Sequence, residues 1–146
     1  MTHSFLLQPA KWSLQGKYLE RDQHPFALEG TVTVVWKQES WFKIETKLLI
    51  SELATEIVSK CKGHLDPSGK LYTYVLQHSI LGNIEGEGHL GLDSIIQHYW
   101  VVGSTQRRLG FDTFYRLSES EYCFTSVILE NHNLRNTMEA KLKQVI

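Results

Sequence analysis

Residues 84–91 read Ile-Glu-Gly-Glu-Gly-His-Leu-Gly, and two folds compete for them. From Gly86 to Gly91 the glycines take the G-x-G-x-x-G spacing of a dinucleotide-binding loop. Asp112 stands about where that fingerprint places its ribose ligand. Such a loop needs a strand before it and a helix after it, whose N-terminal amides hold the pyrophosphate. After Gly91 comes LDSIIQHYWVVG, a short run that stops at Gly103 and is rich in β-branched and aromatic residues. Those residues favour strands. Glu85 and Glu87 would also repel a phosphate. This is not a nucleotide loop. Read with a period of two, it places Ile84, Gly86, Gly88 and Leu90 on one face, and Glu85, Glu87 and His89 on the other.

The same rhythm extends in both directions. Trp12, Leu14, Gly16 and Tyr18 alternate with polar residues, as do Leu28, Gly30, Val32, Val34 and Trp36. Phe42, Ile44, Thr46 and Leu48 oppose Lys43, Glu45 and Lys47, and Tyr122, Phe124, Ser126 and Ile128 form a later row. Met138, Ala140 and Leu142 carry the alternation to the end, although that segment has helix-forming composition. Short polar breaks separate the runs. Asp66-Pro67-Ser68-Gly69 is the sharpest, because Pro pre-sets the first turn angle and Gly accepts the left-handed one. ISELATEI, residues 50–57, is where a short helical turn could sit. The count is about ten short strands with hairpin-length connections. That predicts an all-β fold, an antiparallel up-and-down barrel with at most short helical turns, in one domain over residues 1–146.

Five glycines, Gly16, Gly30, Gly63, Gly86 and Gly88, fall on the mostly apolar phase of their strands. Glycine inside a strand marks a bend or the close approach of another group. These inner-face vacancies either permit the curvature of a small barrel or leave room for a ligand.

Composition excludes several function classes. Fifteen Lys and Arg nearly balance sixteen Asp and Glu, so no broad field favours nucleic acid or an anionic membrane. Arg107-Arg108 reads as an exposed rim. No apolar run approaches the roughly 18–20 residues of a spanning helix, and the start has no basic region ahead of Phe5-Leu6-Leu7, so no signal peptide is expected. Cys61 and Cys123 read as reduced, packed thiols of a cytoplasmic protein.

AKWSLQGKY, residues 10–18, resembles the opening strand of the calycin barrels, the group of lipocalins, fatty-acid-binding proteins and nitrobindin-like haem barrels. In those a Gly-x-Trp closes the barrel base; here Ala10 stands in place of that Gly and Trp12 keeps the tryptophan. IEGEGHLG, IIQHYWVVG and GFDTFYRL resemble the later meander of lipocalin-like domains. The resemblance implies a ten-stranded barrel holding a small hydrophobic or amphipathic molecule. The helical lid of the fatty-acid-binding proteins has no room here, because only about four residues separate the first two strands. Nitrobindin motifs find no match, so haem is carried over to no histidine and no cofactor is expected.

Candidate site residues come from two rows. An interior Arg would hold a ligand carboxylate in a fork, and Arg116 is the candidate; the alternative places it outside, paired with Asp112 or a glutamate. Tyr74, His98 and Trp100 stand beside it, with Trp36 and Phe114 as further wall. Either face of the Asp112–Phe114–Arg116 strand could point inward. His89 and His98, with Glu85 and Glu87, could make a His₂-carboxylate metal site, but they share the polar phase and read as a solvated face. Ser126, Cys61 and Cys123 lack any nucleophile signature. The expected function is non-catalytic binding of a small hydrophobic ligand in the barrel. One rival is a lyase or isomerase on such a ligand. Another is an interaction protein forming a homodimer through a patch at Val35, Val101 or Val127.

Overall fold

The structure, a computed structural model, describes residues 3–146. Ten antiparallel strands succeed one another: β1 (Ala10–Glu20), β2 (Phe26–Gln38), β3 (Trp41–Ile50), β4 (Thr55–Leu65) and β5 (Leu71–His78). The second half is β6 (Gly82–Leu90), β7 (Ser94–Val101), β8 (Arg108–Ser118), β9 (Glu121–Glu130) and β10 (Asn133–Gln144). Each strand pairs with the next in sequence, and β1 pairs with β10 to close the barrel. Closure leaves no strand edge unpaired. The expected all-β barrel is what forms, and the chain's one helical piece among the described residues is a 3-10 turn at Ser51–Leu53, inside ISELATEI. The terminal segment is a strand despite its composition, because its inward residues Met138, Ala140 and Leu142 meet Ser126, Phe124 and Tyr122 across the β9 ladder. Asn131 and His132 both hold positive φ, the geometry a two-residue hairpin needs to match strand twist.

The glycines explain how so small a barrel closes. All five predicted positions lie on the inner face, and Gly110 joins them. Four of the six are seats for aromatic rings. Phe42 lies over Gly63, Tyr74 over Gly86, Tyr72 over Gly88 and Tyr99 over Gly110, each pair being direct cross-strand partners. In each case the far end of the ring occupies the space of the missing Cβ. Every such ring leans from an odd strand onto the even strand that comes after it. Gly16 and Gly30 differ: what a Cβ would strike there is the backbone of β10 and of β3, so these two allow close strand approach at bends.

One end of the barrel is sealed by residues 3–8 and an aromatic cluster. Phe5 stacks on Phe114 with ring centroids 4.7 Å apart, and packs against Trp12 and Tyr122. His3 bridges the Tyr122 hydroxyl and the Gly91 carbonyl, both at 2.7 Å, while the Ser4 hydroxyl donates to the Glu119 carbonyl at 2.5 Å. Trp36 Nε1 donates to the Leu6 carbonyl at 2.9 Å and fixes that residue at φ 75°, where a bulky side chain seldom sits. This end is the base.

Gly88→Ala tests the ring seats. A methyl group there would displace Tyr72, and overpacking of this kind costs about 1–3 kcal/mol. Urea unfolding should show that loss. In a Tyr72→Ala background the same change should cost at least about 1 kcal/mol less, as a double-mutant cycle between touching residues would report.

Candidate functional site

Inside the barrel lies a cavity of about 130 Å³. Leu14, Val32, Ile57, Leu76, Ile84 and Phe124 are part of its apolar wall, and Phe5 and Leu6 reach it from the sealed base. Thr46, Ser59 and His78 are polar lining residues of β3, β4 and β5, and a hydrogen-bonded polar group gathers on the opposite arc. The Tyr72 hydroxyl donates to Gln97 Oε1 at 2.6 Å, and Gln97 Nε2 donates to Asp112 Oδ2 at 2.7 Å. Ser126, directly opposite Asp112 on β9, hydrogen-bonds the same carboxylate and is shared with Tyr99. This grouping results from the ring seats. Tyr72, lying over Gly88, brings its hydroxyl beside the cross-strand partner of Gly88 on the far side, which is Gln97.

Two groups in this cluster are incompletely served. Tyr74 lines the cavity, and its hydroxyl is buried with no hydrogen-bond partner. Asp112 keeps part of its surface accessible, and the cavity is what that surface faces. Burial pushes its carboxyl from the usual 3.8 up to about 6, outweighing the opposing hydrogen bonds from Gln97 and Ser126. Burial likewise raises the phenols of Tyr72, Tyr74 and Tyr99 and pushes the Cys61 thiol up to about 12. All four therefore stay protonated near neutral pH, and Cys61 is no thiolate nucleophile. His78, also on the cavity wall, has a pKa lowered by burial. Its Nδ1 accepts from the Ile80 and Leu81 amides, which leaves the proton on Nε2. Among the described residues no lysine or arginine lines the cavity.

Of the six residues expected from the sequence, Tyr74 and Phe114 line this cavity. Arg116 is on the inner phase but at the base, where Nη2 donates to the Leu92 carbonyl at 2.6 Å and pairs with Asp93 at 3.0 Å. Trp36 is also at the base, against Phe42 and the Leu6 carbonyl. His98 and Trp100 are on the outer face. There His98 meets Glu87 at 3.7 Å and stacks near His89 and Trp100. No group of three or more His, Cys, Asp or Glu among the described residues converges to hold a metal ion. Both cysteines are free. Of the three valines considered for a homodimer patch, Val101 packs inward against the core, while Val35 is exposed and Val127 half-buried. A larger outer apolar strip lies on β7 and β8, formed by Ile96, Trp100, Phe111 and Tyr115.

Sequence reasoning does not single out Asp112, Gln97 and Tyr72 as a site. The signal available is the period itself: Asp112 shares its phase with Phe114, and a carboxylate on an apolar phase is a site candidate.

Neither a family model nor a curated protein matches the sequence. Solved structures do. The chain is similar to the crystal structure of Rv2717c from M. tuberculosis with a TM-score of 0.74 and 11% identity, over 94% of this chain and 92% of that one. It is also similar to a redesigned β-barrel, mFAP1, bound to DFHBI, with a TM-score of 0.50 and 15% identity, over 97% and 99% of the two chains. At these identities the likeness is one of fold. No helix among the described residues is long and apolar enough to cross a membrane.

Asp112 makes a signed prediction about pH. Its folded pKa lies above its unfolded one, so between about pH 4 and pH 6 the native state holds the proton more tightly. Stability from this group is complete below about pH 4 and is lost as pH rises through about 6, a span on the order of 3 kcal/mol. Asp112→Asn keeps an acceptor for Gln97 and removes the titration. Denaturant unfolding of the wild type minus that of the variant should fall by up to this amount across the window and be flat above it.

Proposed function

We propose that this chain is a calycin-like barrel, one domain over residues 1–146, that binds a compact hydrophobic or amphipathic molecule in its interior. The observation that carries the reading is the cavity itself: a largely apolar wall with a hydrogen-bonded polar group on one arc, sealed at the base. That combination is the usual anatomy of a small-molecule site. A designed barrel of similar fold is bound to a small molecule, DFHBI, which supports the same use of this fold. The volume suits one aromatic ring with a short chain, since a dry cavity of comparable size takes up benzene. Two free, packed cysteines fit a reducing compartment such as the cytoplasm.

Thermal unfolding with saturating 2-phenylethanol tests this reading. Ligand at about a hundred times its Kd should stabilise the protein by about 2.7 kcal/mol. Ser59→Leu, which fills the cavity from β4, should abolish the shift; an unshifted wild type would remove the proposal.

Asp112 favours a second reading, the isomerase or lyase. A carboxyl titrating near pH 6 beside an apolar cavity is suited to take and return a proton. It predicts Asp112-dependent exchange of deuterium from D₂O into the α-carbon of a bound ketone such as phenylacetone. Binding without exchange above the solution rate would leave simple binding as the function.

A further inference from the structure

We infer that the cavity selects ligands by charge, taking an apolar body with an amine head and rejecting its carboxylate counterpart. This rests on the binding reading above and goes further by naming the head group. Three observations converge on it. Asp112 is the cavity's acid, and among the described residues no lysine or arginine stands there to oppose it. Arg116, which a carboxylate ligand would need, is engaged at the base with Leu92 and Asp93. Tyr74 lines the same space, and its hydroxyl, buried behind the wall, adds no competing charge.

An ammonium group offers three donors and no acceptor. It can donate to the carboxylate of Asp112, the acid on the cavity wall. A carboxylate in the same place would meet a like charge across low dielectric. An alcohol falls between, able to donate to Asp112 without a charge of its own. The other groups around Asp112 do not alter this order. Cys61 on β4, Tyr72 and Tyr74 on β5 and Tyr99 on β7 are all held protonated and neutral by burial. Gln97 and Ser126 carry no charge, and burial disfavours the charged form of His78.

The cavity should therefore favour amines most where Asp112 is ionised. With that carboxyl titrating at about 6, amine affinity should rise roughly tenfold between pH 5 and pH 7. An alkylammonium head stays charged throughout that range, so the change reports the protein and not the probe.

Isothermal titration calorimetry on the full chain with 2-phenylethylamine, 2-phenylethanol and phenylacetate tests the inference. At pH 7 the expected order is amine, then alcohol, then acid, with at least tenfold between the first and last. Asp112→Asn should bring the amine level with the alcohol. At pH 6 amine binding should release part of a proton to the buffer, seen as a dependence on buffer ionisation heat. An acid that binds as tightly as the amine, or an order unchanged in Asp112→Asn, overturns the inference while leaving interior binding in place. Failure of all three compounds removes interior binding and the inference together. Should Asp112→Asn not fold, as circular dichroism would show, the wild-type pH series decides: an amine affinity flat from pH 5 to pH 7 overturns the inference.

Discussion

Glycine opposite an aromatic residue, repeated four times across neighbouring strands, is the contact on which the rest of this barrel depends. A large ring on the inner wall of a small barrel would ordinarily project into the middle and fill it. Here each ring folds sideways onto the strand beside it, because the residue there has no side chain to resist. Four large residues are buried this way with the centre left open. The arrangement also constrains sequence in pairs: neither the ring nor its glycine can change size without the other. Aromatic residues set over glycine are a recognised device for pinning register in curved sheets. The direct pairing of Tyr72 with Gly88 and Tyr74 with Gly86 fixes β5 against β6 in this way.

Seating the rings also places their hydroxyls. Tyr72, Tyr74 and Tyr99 start on β5 and β7 and end over β6 and β8, so their polar tips collect along the arc that carries Gln97 and Asp112. A single packing rule thus gathers the hydrogen-bonded polar group on one arc of the barrel wall. The base completes the enclosure. Phe5, Trp12, Phe114 and Tyr122 interlock, and the polar atoms of His3 and Ser4 are spent on backbone carbonyls and the Tyr122 hydroxyl. Leu6 is held in the left-handed region by this packing and by Trp36, a local strain that the surrounding contacts over-determine.

Most of this architecture is legible in the sequence. Alternation places the strands, and it places Gly16, Gly30, Gly63, Gly86 and Gly88 on the inner face, because a period of two leaves little freedom once one face is apolar. The purpose of those glycines is less accessible. Whether a vacancy is empty or holds a neighbour's ring depends on register, and register is a relation between strands that spacing within one strand does not show. The site residues divide on the same line. Tyr74 and Phe114 lie in runs whose inward phase is plain. Trp100 and His98 share an apolar-looking phase with Ile96 and Val102, yet that phase faces out, because Gln97 and Tyr99 are the residues that meet Gly88, Gly86 and Gly110 inside, with Ile95 and Val101 on the same phase. On β7 both faces are rich in large residues, and hydrophobicity alone does not choose between them. Arg116 shares the phase of Asp112, as the alternation predicts, but its distance along the strand sets it at the base, beside the β6–β7 connection.

The polar side of the cavity is where stability and binding pull in opposite directions. A leucine at Asp112 and a phenylalanine at Tyr74 would suit an empty barrel better, since a buried carboxyl with a raised pKa and an unpartnered buried hydroxyl each cost folding free energy, about 1–3 kcal/mol for the hydroxyl alone. Neither penalty comes from poor packing: the rings are seated, the hydroxyl lacks a partner, and the carboxyl is held out of water although Gln97 and Ser126 hydrogen-bond it. A guest that donates to the carboxylate would offset its share of that cost. Under the proposed binding, part of the free energy that burying the carboxyl costs would become available as affinity, and Asp112 would give the cavity a preference for one kind of head group.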